Sequence, residues 1–289
     1  MPFARHYSVG YQTQVGETMA LTVDVVRSES RDQYLVQDLN PGVRNSDLAT
    51  GSVSRTNPLV GAAGEFATRV NTMINGGEID YTSLQFSGTK RFSAGYSARV
   101  SYAFSKGTGN TGAGQREVIN SQFLADLRLD SERGPTDVDR PHILSVSGTW
   151  DVPRSAGLKI SGVLQARSGT PFSLVNSTFD RDRNGITTNE YLAPGTYSGI
   201  GSDAVTIDYD GGRNGARGPS YVSLDLRGGY RFGLPGGRSL DASVDVFNVT
   251  NRDNFTNPSG DQRLSATFLR LTGVTGATRS AQLNIRFGF

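Results

Sequence analysis

The chain has 289 residues, with 29 Lys and Arg against 27 Asp and Glu, and no cysteine. A formal charge of +2 leaves no basic footprint for nucleic acid and no acidic tail. The lack of cysteine excludes a disulfide framework and a cysteine metal site, and no apolar run approaches the ~20 residues of a transmembrane helix.

The first predicted strand, residues 6–15, sets Tyr7, Val9, Tyr11 and Val15 on one face against Ser8, Gly10, Gln12 and Gln14 on the other. Gly16, Glu17 and Thr18 form a tight turn. Residues 19–27 alternate again through Leu21, Val23 and Val25. A polar stretch from 28 to about 77, rich in Asn, Ser, Gly and Arg, reads as a long loop. A third strand carries Leu84 and Phe86 opposite Ser83, Gln85, Ser87 and Thr89. After a short turn at 92–95, a fourth carries Tyr96, Ala98, Val100, Tyr102 and Phe104.

A second long loop spans 106 to about 141. The fifth strand, 142–152, places Leu144, Val146, Trp150 and Val152 opposite Ser145, Ser147, Thr149 and Asp151. A short turn at 153–156 leads to the sixth, 158–167, with Lys159, Ser161 and Gln165 on the polar face. A third long loop, 168–219, precedes the seventh strand, 221–232, where Val222, Leu224, Leu226, Tyr230 and Phe232 oppose Asp225, Arg227 and Arg231. Residues 233–237 turn into the eighth, with Leu240, Ala242, Val244 and Val246 opposite Asp241, Ser243 and Asp245. A fourth loop, 251–278, leads to the last strand, 280–289. There Ala281, Leu283, Ile285, Phe287 and Phe289 oppose Gln282, Asn284, Arg286 and Gly288.

The last strand ends on an aromatic residue, as bacterial outer-membrane barrels usually end. A half-buried edge strand of a soluble β-sandwich would alternate in the same way. The connections decide between the two. About nine strands are joined by turns that alternate short and long, the rule for outer-membrane barrels with short periplasmic turns and long extracellular loops. A ~25 Å apolar band crossed at ~45° needs about ten residues per strand, which matches these lengths. Arg, Asp, Gln and Lys on the inner face would be costly in a dry core but are at home in a wet lumen. Aromatics gather near strand ends, as interfacial girdles do. A mean hydropathy of −0.37 does not oppose this, because only alternate residues face lipid. The expected fold is therefore all-β, an antiparallel up-and-down meander forming part of a transmembrane barrel in the outer membrane.

Other motifs carry less. Gly107, Gly109 and Gly112 fit G-x-G-x-x-G, but the preceding strand is interrupted by Arg99, Ser101 and Ser105, so a flexible loop is expected and not a dinucleotide site. Asp180, Asp182 and Asn184, followed by Gly185, resemble the start of a calcium loop with oxygen ligands at alternate positions. Glu190 falls one place short of the usual bidentate position, so any calcium site is expected to be weak. His6 and His142 stand at strand starts as interfacial or lumen residues. No catalytic motif is present, no enzyme activity is expected, and no cofactor is expected beyond weakly bound calcium.

Several stretches resemble one family: Tyr102-Ala-Phe-Ser-Lys106, Asp137-Val-Asp-Arg-Pro-His142, Gln165-Ala-Arg-Ser-Gly-Thr-Pro-Phe172, Gly218-Pro219 leading to Leu224-Asp-Leu-Arg227, and Val246-Phe-Asn-Val-Thr-Asn251 with Asn254-Phe255. In their order and spacing they are similar to the Oar-like TonB-dependent receptors. The resemblance implies a barrel of about 22 strands with a plugged lumen, and TonB-powered uptake of a scarce solute. It also implies recognition of Phe287 and Phe289 by the barrel-insertion machinery. Residues 1–289 show no plug, no TonB-contacting segment and no secretory signal. They are therefore expected to be the carboxy-terminal portion of such a receptor. Their partners are then membrane lipid, the insertion machinery and an unidentified solute or peptide, with TonB acting only through a plug. The alternative is a surface protein whose long loops bind partners without transport.

Overall fold

The computed structural model describes residues 1–38, 40, 42–55, 71–111, 123, 124, 132–155 and 157–289. The strands in chain order begin with β1 (Phe3–Val15), β2 (Met19–Asp38), β3 (Val43–Arg44), β4 (Val53–Ser54), β5 (Asn71–Ser93) and β6 (Tyr96–Gly109). Next come β7 (Phe123–Leu124), β8 (Gly134–Pro135), β9 (His142–Asp151), β10 (Leu158–Arg167), β11 (Pro171–Phe172) and β12 (Gly195–Ser198). The last are β13 (Thr206–Tyr209), β14 (Ala216–Arg217), β15 (Tyr221–Gly233), β16 (Ser239–Phe247) and β17 (Ser280–Gly288).

The main sheet follows the order β1-β2-β5-β6-β9-β10-β15-β16-β17, each strand antiparallel to its neighbours. The nine long strands and their order are those expected from the alternation. So is the open path, with β1 and β17 as its edges among the described residues.

Register keeps the two faces apart. Tyr11, Val23, Phe86, Tyr102, Leu144, Ala166 and Val222 stand opposite one another across seven strands, forming one apolar row. Nearer the carboxy terminus, Val244 faces Leu283, and Ala242 faces both Tyr230 and Ile285. These outer residues are bare: Leu283 and Ile285 are each 66% exposed. A soluble protein would not leave such a continuous band uncovered. The inner rows are polar and paired across strands. Arg231 sits opposite Asp241 and bonds it at 2.5 and 2.9 Å. Arg227 sits opposite Asp245, and Lys159 opposite Asp151.

Aromatic side chains mark both margins of the outer band. At the short-turn margin Tyr230 packs on Phe232 and Phe287 on Phe289, with ring centroids 4.6 and 4.9 Å apart. At the other margin the Tyr102 hydroxyl meets His142 Nδ1 at 2.8 Å, and Phe104 lies against the same ring. His142 is thus an interfacial residue, as expected. His6 stands on the polar face, opposite Ser28.

The loop end differs from the sequence reading. The stretch from 28 to 77, read as loop, supplies the second half of β2 and the start of β5, strands of 20 and 23 residues. At ~3.3 Å per residue these run to roughly 65–75 Å, far past an apolar band of about 25 Å. Beyond the band both faces meet water, so alternation disappears while backbone pairing continues, as at Arg27–Thr82 and Glu29–Asp80. Gly107 and Gly109, read as flexible loop, continue β6 opposite Tyr81 and Ile79. A Cβ at Gly109 would come within 2.3 Å of Glu78 O, so close strand packing explains this glycine. Gly112 lies outside the described residues.

The third long loop is also folded. Strands β11, β14, β13 and β12 form a small sheet within it. Leu174, Ile207, Tyr209 and Ala216 from this loop bury against Phe268 and Leu269 from the fourth. This is a dry core lying in a cap at the loop end, whereas the main sheet has a wet inner face.

Candidate functional site

The loop end holds most of the buried polar chemistry, and the stretches singled out in the sequence converge there. Asp139 is buried between two elements: its Oδ1 accepts from Gly107 N at 2.7 Å, and its Oδ2 accepts from Arg217 Nη2 at 2.7 Å. Arg217 also donates to Gly169 O. Asp137 accepts from Asn214 Nδ2 at 2.7 Å. Gly169 lies so close to the opposing chain that a Cβ there would sit 1.9 Å from Gly218 O, which fixes glycine at that crossing. Asn254 ties the fourth loop to β15 by accepting from Val222 N and donating to Val222 O. Asn248 adopts a positive φ of 46°, accepts the chain's turn there, and donates to Arg252 O and Ala277 O. These motifs form a clasp that anchors the cap on the strands.

Beside the clasp, Arg140 and Arg167 line a cavity of about 380 Å³ with Thr170, Tyr221, Phe255 and Asn257. It lies where β10 ends and β15 begins, under the fourth loop. Sequence reasoning missed it, because Arg140, before β9, and Arg167, the last residue of β10, meet only in the fold.

The calcium-like residues lie elsewhere in the cap. Asp180 has no exposed surface; it bonds Arg44 Nε at 2.5 Å and accepts from Asn184 N and Gly185 N. Arg44 also donates to the carbonyls of Ala49 and Gly51. Asn184 Oδ1 accepts from Ile186 N at 2.7 Å, and its amide nitrogen donates to Asp182. The acidic oxygens that approach one another, within 4.8 Å, belong to Asp180, Asp182 and Glu190. Glu190, one place early in sequence, is brought back by a bond from Arg181 N at 2.8 Å. Burial, and then the charges of Asp182 and Asp180, push its carboxyl above the usual range. Phe287 and Phe289 stand at the end of β17, on the outer face with Leu283 and Ile285.

A bare apolar outer face about one membrane thick, a charged inner face and a folded cap at one end define the wall of a membrane-spanning β-barrel. Residues 1–282 match the family described as outer membrane beta barrel domain, and the chain belongs to that family. Its place is the outer membrane. No curated protein matches it. Among solved structures it is similar to the outer membrane transporter YddB from Escherichia coli, at 15% identity and a TM-score of 0.52, covering 99% of this chain and 32% of that one. It is also similar to the FrpB iron transporter from Neisseria meningitidis, at 15% identity and a TM-score of 0.48, covering 98% of this chain and 30% of that one. The chain thus spans about a third of the length of these structures, and the likeness to YddB establishes a shared fold.

Proposed function

We propose that these residues form the carboxy-terminal wall and outer cap of a TonB-dependent, Oar-like receptor that takes up a small solute or peptide. The observation that carries the reading is the pairing of a polar inner face with a folded cap: such a wall can bound a solute path, and the cap can hold the solute at its mouth. The resemblance of the clasp stretches to Oar-like receptors supports it, as does the shared fold with a structure titled as an outer membrane transporter. In this reading the cap faces outside, the short turns face the periplasm, and TonB acts through a plug. The barrel-insertion machinery would read Phe287 and Phe289. No side chain is assigned a catalytic role.

The test uses cells that make the protein carrying this segment, with and without TonB. They are given a labelled peptide digest and, separately, ferric citrate. Accumulation of either that needs both the protein and TonB supports uptake. Surface binding of the digest that ignores TonB, with no accumulation, would instead support a loop-mediated binding protein.

A further inference from the structure

The arginine cavity at the loop end has an unanswered charge. Arg140 and Arg167 line it, and among the described residues no acidic residue does. The nearby carboxylate, Asp139, is taken up by Gly107 N and Arg217. Arg167 lies over the Tyr221 ring, 4.3 Å from its centre, and its Nε is buried without a hydrogen-bond partner among the described residues. Among the described residues Arg140 donates only to Ser168 O, at 2.6 Å, which supplies no charge. Burial, and then the charges of Arg167 and Arg217, pull Arg140 below its ordinary value, which shows how crowded the cations are. A buried donor left unmade is costly, and like charges this close repel. Both costs fall if an anion enters.

We infer that this cavity is a binding site for the oxyanion group of a small solute, a carboxylate or a phosphoryl group, held by Arg140 and Arg167. Guanidinium forks match both groups in geometry and charge. Thr170 and Asn257 also line the cavity, the Thr170 hydroxyl donating to Asn257 Oδ1 at 3.1 Å, and Tyr221 and Phe255 give it aromatic walls for the rest of the solute. The volume, about 380 Å³, suits a compact molecule and is too small for a folded domain. This site deepens the uptake reading by naming the solute's chemistry, and it is tested by binding, apart from uptake.

The protein carrying this segment is purified in detergent and titrated calorimetrically with citrate and, separately, with inorganic phosphate, with sodium chloride at matched ionic strength as blank. At least one anion gives a saturable heat, and the one that does tells carboxylate from phosphoryl. Arg167→Gln and Arg140→Gln each weaken it about tenfold, the loss of one charge-assisted contact. Arg167→Lys restores part of it, and Arg154→Gln, in a short turn, leaves it unchanged. Heat-modifiable migration of each variant confirms that the barrel is intact. Arg140→Gln serves if Arg167→Gln fails to fold, and the reverse. No saturable heat from either anion, or equal binding by wild type and both variants, overturns the inference. Binding without TonB-dependent uptake would leave this site standing and remove only the transport reading; uptake without binding would do the opposite.

Discussion

A carboxylate with no exposed surface must have its charge answered inside the protein, and Asp180 has Arg44 and two backbone amides for this. Among the described residues Glu190 accepts from one backbone amide, that of Arg181, whose charge also favours the ionised form, but burial and two acidic neighbours oppose it. Its folded pKa is raised, so the folded loop holds the proton more tightly than the unfolded chain does. That contribution is whole below the ordinary carboxylate range and is lost as pH rises through the folded value. Glu190→Gln keeps the acceptor and removes the charge. It should make amide exchange around residues 180–190 slower at pH 7 and nearly unchanged at pH 3; the same rate at both would show that Glu190 carries no strain. Calcium is expected to act in the same direction on wild type, at ~10⁻⁴–10⁻³ M as in extracellular modules, and to lose its effect in Glu190→Gln. A loop whose exchange ignores calcium is held only by its own hydrogen bonds. The alternating oxygens of this loop were legible in sequence because they are local. Arg44 was not, since it lies 136 positions away from Asp180. Arg140 and Arg167 escaped because they meet only when β9 and β10 pair.

Strands were legible where lipid meets one face and water the other, because that contrast writes period two into the sequence. Thus β9, β10, β16 and β17 fall within a residue or two of expectation. The outer half of β2 and the start of β5 escaped because water lies on both sides and either residue class serves. Small strands such as β11 and β14 are too short to show a period. The outer face makes a direct prediction at Val244, the middle of β16, which faces Leu283 and is 45% exposed. Val244→Arg should cost ~2–4 kcal/mol of folding stability in lipid, while Asp245→Asn, facing inward, should cost far less. Urea titration in vesicles measures both, and the reverse order would mean that the faces are exchanged. At the end of β17, removing Phe289 from the protein that carries this segment should lower its level in the outer membrane, read by immunoblot of fractionated envelopes. An unchanged level would clear the terminal aromatic of an assembly role.

At the scale of the molecule, the decisive number is the count of long strands. Among the described residues the main path holds nine, and β1 and β17 both run from the loop end to the short-turn end. Pairing them with each other would make a parallel joint in an antiparallel sheet, whereas bacterial single-chain barrels close with an even number of strands. Leaving them apart exposes a row of backbone groups on each edge, at several kcal/mol per group in hydrocarbon. Neither arrangement would make a stable membrane protein of the described strands alone. The chain covers 32% of the outer membrane transporter YddB, whose fold it shares. Residues 1–289, expressed behind a signal peptide, are therefore expected to reach the periplasm and be degraded. They should show no heat-modifiable band and no protease-resistant core in outer membranes. The same residues supplied with the rest of a barrel should regain both. A protease-resistant monomer with pore conductance, made from residues 1–289 alone, would mean that β1 and β17 do join and that the wall is a complete barrel.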